Sequence, residues 1–282
     1  EHAKPNCRTY NTVLATLSSA KGDYLDDAES LVEEMLKAKD PAVRPNSITY
    51  NCLLNHLSNT KTDTVSAGIR SREIFSMMKE HQKQGNLKVA PLSETYNVMM
   101  KIASRNVGEG GAQRAEVLLC ELEDLYKAGD SQLRPTTVSY TTCITAWARE
   151  DNELKLVKAN DLMERMQEAY TSGNRHARPN AMSYNALLSC YRNVVSAGFI
   201  RRSDQQGIVD SVSMLLREMR KSDNYRPNQA TYTTIVKILV NLPVQDERID
   251  TEIKKVLALC REDRQSSEQL VRVLSRAAPH LM

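Results

Sequence analysis

Residues 45–54 read Pro-Asn-Ser-Ile-Thr-Tyr-Asn-Cys-Leu-Leu, and Leu57 follows. Leu53, Leu54 and Leu57 stand three, four and seven residues beyond Tyr50, which is one stripe of a helix with 3.6 residues per turn. Pro45 cannot lie in a helix interior but fits just ahead of a start, so the helix begins near Thr49-Tyr50. The pattern recurs at Tyr10, Tyr50, Tyr96, Tyr140, Tyr184 and Tyr232, with spacings of 40, 46, 44, 44 and 48 residues. Each Tyr follows Thr or Ser, precedes Asn or Thr, and has a Pro five residues before it. Four of those prolines follow an Arg: Arg44, Arg134, Arg178 and Arg226.

A second stripe lies in every copy, as in Ala28/Leu31/Val32/Met35 and Ala159/Leu162/Met163/Met166. Its small leading residue lets two helices approach closely. Each copy is thus helix, turn, helix and a Pro-marked link. One such hairpin cannot bury its apolar faces alone, and stacked neighbours complete the core. The predicted fold is all-α: an α-solenoid of tandem helix-turn-helix units, its tyrosines packed between the helices of each hairpin. The units are 7–46, 47–92, 93–136, 137–180, 181–228 and 229–264, with 1–6 the end of a preceding unit and 265–282 a final capping helix. Ser266 and Gln269 are spaced as that helix's capping box.

Composition agrees. Of 282 residues, 10 are Gly, 2 Phe and 1 Trp, too few for a sandwich or barrel built on turn glycines and aromatic strands. No apolar run reaches the roughly 18 residues that a membrane span needs. The six cysteines include no C-x-x-C, and with five scattered histidines no zinc spacing exists, so reduced thiols and no metal are expected. No nucleotide-binding, metalloprotease or deaminase signature is present, and no catalytic residue is assigned. His56 and His81 lack an acidic partner at ligand spacing, and Glu121-Leu122-Glu123-Asp124 reads as a solvated helix face. No leader pattern is visible at Glu1, and the missing initial Met leaves room for a preceding segment.

These repeats resemble the pentatricopeptide repeat family over essentially the whole chain: Thr-Tyr-Asn-x-x-Leu-Leu, a later Ala-x-x-Leu-hydrophobic-x-x-Met, and a closing Pro-Asn. The tetratricopeptide alternative expects a Leu-Gly in the first helix, which is absent here. Units of 40 to 48 residues exceed the roughly 35 of the family, the excess falling in turns and second-helix ends such as Asn193–Ser211 and Glu80–Val89. The resemblance implies a right-handed superhelix whose first helices line an RNA-facing surface, with no cofactor, no small-molecule substrate and no membrane insertion. It also implies a mitochondrial or plastid location.

Charge supports such a surface. The six first-helix windows (7–21, 47–61, 93–105, 137–149, 181–193 and 229–241) hold eight cations and one acid, Glu94, within a chain of net charge +3. The phosphate-contacting candidates are Lys21, Lys61, Lys101, Arg105, Arg149, Arg192 and Lys237. The Asn or Thr after each Tyr lies about 100° from it around the helix, off the apolar stripe. Alone it reads as a helix cap or a solvated polar residue; in all six copies it fits a base edge better. By resemblance it acts with the residue after the next Pro. The pairs are Asn11/Asn46, Asn51/Leu92, Asn97/Thr136, Thr141/Asn180 and Asn185/Asn228, with Thr233 in the sixth unit. They imply pyrimidine, any base, pyrimidine, adenine, pyrimidine. Two residues before each Tyr, Arg8, Ile48, Val138 and Met182 would stack between bases, alongside Glu94 and Ala230. Leu92 cannot hydrogen-bond a base, and Glu94 is a poor neighbour for RNA. The expected function is sequence-specific single-stranded RNA binding in organellar RNA stability, processing or translation. The alternative is a structural or assembly subunit of an organellar ribosome or other large complex, binding protein or ribosomal RNA by shape.

Overall fold

The structure, a computed structural model, describes residues 4–20, 24–59, 64–105, 110–222, 225–244 and 246–281. Among these residues there are thirteen α-helices and no strand. Two compact units divide the chain, Glu1–Pro135 and Thr136–Met282.

In the first unit, α1 (Cys7–Ser19) pairs with α2 (Leu25–Lys37), α3 (Ser47–Asn59) with α4 (Thr64–Lys83), and α5 (Ser93–Ala103) with α6 (Gly111–Lys127). The second holds α7 (Thr137–Arg149) with α8 (Lys155–Thr171), α9 (Ala181–Ser196) with α10 (Gln205–Lys221), and α11 (Gln229–Val240) with α12 (Glu247–Glu262). The last helix, α13 (Glu268–Ala277), packs on α11, where the first helix of another hairpin would lie. Its cap is Ser267, whose Oγ accepts from Leu270 N at 3.2 Å; the sequence pointed one residue earlier, to Ser266.

Within each unit the first helices touch their successors directly. The two stripes form the core: Tyr50, Tyr96, Tyr140, Tyr184 and Tyr232 are buried with Leu54, Leu57, Leu119, Ile144, Leu188 and Val236. Tyr10 is half-buried and Val13 is exposed. A buried hydroxyl needs a partner. The second helices, or the turn after them, supply acids: Glu34 for Tyr10, Glu121 for Tyr96, Glu218 for Tyr184 and Asp263 for Tyr232. Ion pairs tie second helices laterally, Arg70 of α4 to Glu29 of α2 and Lys79 of α4 to Glu121 of α6.

The excess length has a defined place. Helix α4 runs 20 residues, and α6, α8 and α10 run 17, against 13 in α2. Three long second helices end on a left-handed glycine, Gly85, Gly129 or Gly173. The next residue closes back on the residue five before it: Asn86 N donates to His81 O, Asp130 N to Leu125 O and Asn174 N to Ala169 O. Each link then buries an apolar side chain, Val89, Leu133 or Ala177, before its Pro. These turns leave the first helices in register. Ser47 Oγ donates to Ala90 O at 2.6 Å and Thr137 Oγ1 to Arg178 O at 2.6 Å, docking each link on the start of the preceding first helix.

Candidate nucleic-acid interface

The residue after each repeat Pro caps a first helix. Asn46 Oδ1 accepts from Ile48 N and Thr49 N at 3.0 and 3.1 Å. Asn180 Oδ1 accepts from Met182 N and Ser183 N at 2.9 and 3.1 Å, and Asn228 Oδ1 from Thr231 N at 3.0 Å. Thr136 Oγ1 caps Ser139 N more loosely, at 3.4 Å. Such caps are worth about 1 kcal/mol each. Leu92 stands in the same place with no side-chain cap. The capping role thus belongs to the residue after the Pro and not, as one sequence alternative had it, to the Asn or Thr after the Tyr. Because capping uses the oxygen of Asn46, Asn180 and Asn228, each offers a base its amide N–H groups.

The residues after the tyrosines lie one turn further in. Asn11 Nδ2 donates to Asn46 Oδ1 at 3.3 Å and Asn185 Nδ2 to Asn228 Oδ1 at 3.5 Å, so two of the expected pairs are in contact. Asn51 and Asn97 are half-buried in the corresponding place. Asn11 is itself 8% exposed. Thr141 differs, because its Oγ1 is enclosed and has no hydrogen-bond partner among the described residues. Thr233, 3% exposed, lies 3.5 Å from Ser267 Oγ, so the helix that ends the array covers the sixth candidate and removes it from any open face.

At the second position of the first helices Ile48, Val138 and Met182 are 55%, 58% and 70% exposed. An apolar side chain repeatedly kept in water costs solvation free energy without a ligand. Arg8, Glu94 and Ala230 are exposed at the equivalent positions.

The cations divide. Lys101 Nζ donates to Ser58 Oγ and Asn59 Oδ1 at 3.2 and 3.0 Å, and Arg105 Nη1 to Ser58 O at 2.8 Å. Both therefore complete the C-terminus of the neighbouring first helix, where carbonyls and the dipole favour positive charge. Arg192 is held by Asn193 Oδ1 at 3.0 and 3.2 Å. Part of the charge bias is thus a helix-end effect, which reading windows by charge alone did not separate. Arg149 is exposed and Lys237 half-buried. Lys21 and Lys61 lie outside the described residues.

Other cations were visible in the sequence as the Arg before Pro but had no assigned role. In the first unit an open cleft of about 640 Å³ is lined by Cys7, Arg44, Asn46, Ile48, Asn86 and Lys88, among others. It joins an exposed apolar wedge, a capping amide and two exposed cations from consecutive links. Of the other links, Arg226 is exposed, Arg134 donates to Ser131 O and Arg178 faces the Tyr170 ring.

Tandem helical hairpins with Pro-Asn links and a Thr/Ser-Tyr-Asn/Thr signature define a helical-repeat protein. The family model for the pentatricopeptide repeat domain matches residues 1–60. The Pro, Thr/Ser-Tyr-Asn/Thr and apolar-stripe pattern of that matched segment recurs at equivalent places in every later hairpin. The fold is similar to the crystal structure of the pentatricopeptide repeat protein PPR10 from maize, with TM-score 0.54 and 21% identity over 97% of this chain and 31% of that one. The structure of PPR10 in complex with an 18-nt psaJ RNA element aligns with TM-score 0.47 and 16% identity over 98% of this chain and 38% of that one. The chain therefore spans about a third of PPR10. No curated protein sequence matches it.

Proposed function

We propose that this chain binds single-stranded RNA without chemistry, one base per hairpin, along the N-terminal ends of its first helices. The reading units are 7–46, 47–92, 93–136, 137–180 and 181–228. The cleft carrying Asn46, Ile48, Arg44 and Lys88 supports this reading most strongly: it offers hydrogen bonding to a base edge, apolar surface for a base face and charge for phosphate in one place. Asn11/Asn46, Asn185/Asn228, Thr141/Asn180, Asn97/Thr136 and Asn51 read, and Ile48, Val138 and Met182 stack. Arg149 and Lys237 meet phosphate. By family resemblance the RNA is organellar, mitochondrial or plastid, and occupancy protects, processes or positions it for translation. Selection from a random single-stranded RNA pool tests this. Enriched RNAs should share pyrimidine, any base, pyrimidine, adenine, pyrimidine, and a pool without any base preference refutes base reading. The uncapped Leu92, the neighbouring Glu94 and the internally bound Lys101 and Arg105 favour a second reading, a subunit of an organellar ribosome or other large complex. In that case the protein comigrates with a large particle and enriches no short RNA.

A further inference from the structure

The Asn readers are held by the next hairpin. Asn46 N donates to Thr49 Oγ1 at 3.1 Å, and Thr49 Oγ1 donates to Asn11 Oδ1 at 2.7 Å. The same relay runs from Asn228 N to Thr231 Oγ1 at 3.1 Å and on to Asn185 Oδ1 at 2.8 Å. From Leu92 N it runs through Thr95 Oγ1 to Asn51 Oδ1, with both steps close to normal length. All three threonines are fully buried. A backbone N–H can only donate, so the hydroxyl accepts it and sends its own proton onward. Longer branches of that proton reach Asn46 Oδ1 at 3.3 Å and Asn228 Oδ1 at 3.1 Å. The cap oxygens, pinned by backbone donors, also force Nδ2 of Asn11 and Asn185 to face them. An amide turned over would set oxygen against oxygen at 3.3 or 3.5 Å.

We propose that Thr49 and Thr231 are positioning residues that fix the polarity of the amide one hairpin upstream, so that Asn11 and Asn185 meet RNA as hydrogen-bond donors only. This inference rests on the base-reading function proposed above. With the cap oxygen also engaged, the Asn185/Asn228 pair offers adjacent N–H groups; in the first pair the second Asn11 Nδ2 proton rests on Cys7 Sγ at 3.5 Å, a weak acceptor that a base oxygen or nitrogen can replace. Cytosine presents the acceptors O2 and N3 side by side, whereas uracil places an N3–H donor between O2 and O4. The Watson–Crick edges of the purines carry a donor at the matching place, N6–H of adenine or N1–H of guanine. The fourth hairpin shows the alternative. Ser183 Oγ accepts from Asn180 N at 2.9 Å but gives its proton to Asn180 O at 2.8 Å, and Thr141 Oγ1 is left with no partner among the described residues. No relay fixes that hydroxyl, which is free to donate or accept.

The test compares wild type, Thr231→Val and Thr231→Ser by selection from a random single-stranded RNA pool. Side-chain amide spectra of the RNA-free proteins by ¹⁵N–¹H NMR accompany it. Wild type and T231S should share the preference at the base read by Asn185. T231V should lose about tenfold of it while the bases read by Asn11 and Thr141 keep theirs, since one base-edge contact discriminates by about 1–3 kcal/mol. The Asn185 amide, single in wild type and T231S, should broaden or split in T231V. Thr49→Val and Thr49→Ser repeat both measurements on Asn11 should T231V fail to fold. A Val variant that keeps both the wild-type preference and the wild-type amide signal overturns the positioning role. If wild type selects no base at all, base reading fails, and the NMR comparison alone then decides whether the threonines set the amides.

Discussion

Tyr96 Oη donates to Glu121 Oε1 at 2.8 Å, and Lys79 Nζ reaches the same oxygen at 2.5 Å from the preceding hairpin. One carboxylate therefore closes its own hairpin and fastens the previous one to it. Burial, with the carboxylate beside it, holds the Tyr96 hydroxyl far above its ordinary pKa, so it stays a donor throughout the working pH range.

Tyr96→Phe should cost about 1 kcal/mol, one hydrogen bond, with no loss of helix content. Lys79→Met should cost less, its ammonium being partly exposed. Urea denaturation of the two single variants and the double variant should give costs that do not add, because both act on one oxygen.

Asp263 should govern acid stability in the second unit. Burial pushes its carboxyl up. The Arg220 guanidinium at 3.0 and 3.1 Å and the Tyr232 hydroxyl outweigh that and hold it below the ordinary value. A folded-state pKa depressed below the unfolded value of about 3.9 contributes stability above that pH and loses it as pH falls further. Denaturation midpoints should drop below pH ~4 in wild type, and more gently in Asp263→Asn.

Phosphate contact should show in salt. Arg149→Gln and Lys237→Gln should each flatten the slope of log affinity against log salt by about 0.7. Lys101→Gln and Arg105→Gln should lower thermal stability, through the lost contacts at the α3 C-terminus, more than they change the slope. Equal slopes in all four variants would contradict the division of the cations.

Leu92→Asn should raise stability by about 1 kcal/mol by supplying the missing cap oxygen to α5. The same change completes a pair with Asn51 and should create a base preference at the second step. Calorimetry and repeated RNA selection check the two effects separately.

Replacing Thr141 by Asn should move the fourth-step preference from adenine toward a pyrimidine and leave the other steps alone. In the structure the hydroxyl it removes has no partner among the described residues, so the change breaks no internal bond. Selection with the variant protein reads the outcome.

The helix pairs were legible because apolar residues at three, four and seven beyond each Tyr leave one helical period to choose, and Pro fixes the starts. Val13 shows the limit of periodicity: it occupies the stripe yet is exposed, because burial depends on neighbours that a stripe does not specify. The reading residues were legible as types at fixed positions. Their bonding was not. Whether Arg105 meets phosphate or the carbonyl of Ser58, and that Ser267 covers Thr233, depend on contacts between residues 47 and 34 positions apart, and the bond that ties the capping Asn46 to Asn11 spans 35. The acids beneath the tyrosines escaped notice for the same reason, since their offset from Tyr varies with second-helix length: 24 residues for Glu34 and 34 for Glu218.

The bonds from Thr49 to Asn11 and from Thr231 to Asn185 have a bearing on protein engineering. A hairpin excised from Cys7 to Asn46 leaves behind the hydroxyl that holds its own amide. The exchangeable module is offset from the visible one, running from one Asn through the following Thr. A graft cut at the Pro transplants a reader into a foreign frame. When the recipient carries a residue without a hydroxyl where the donor had Thr, the borrowed amide arrives without its clamp.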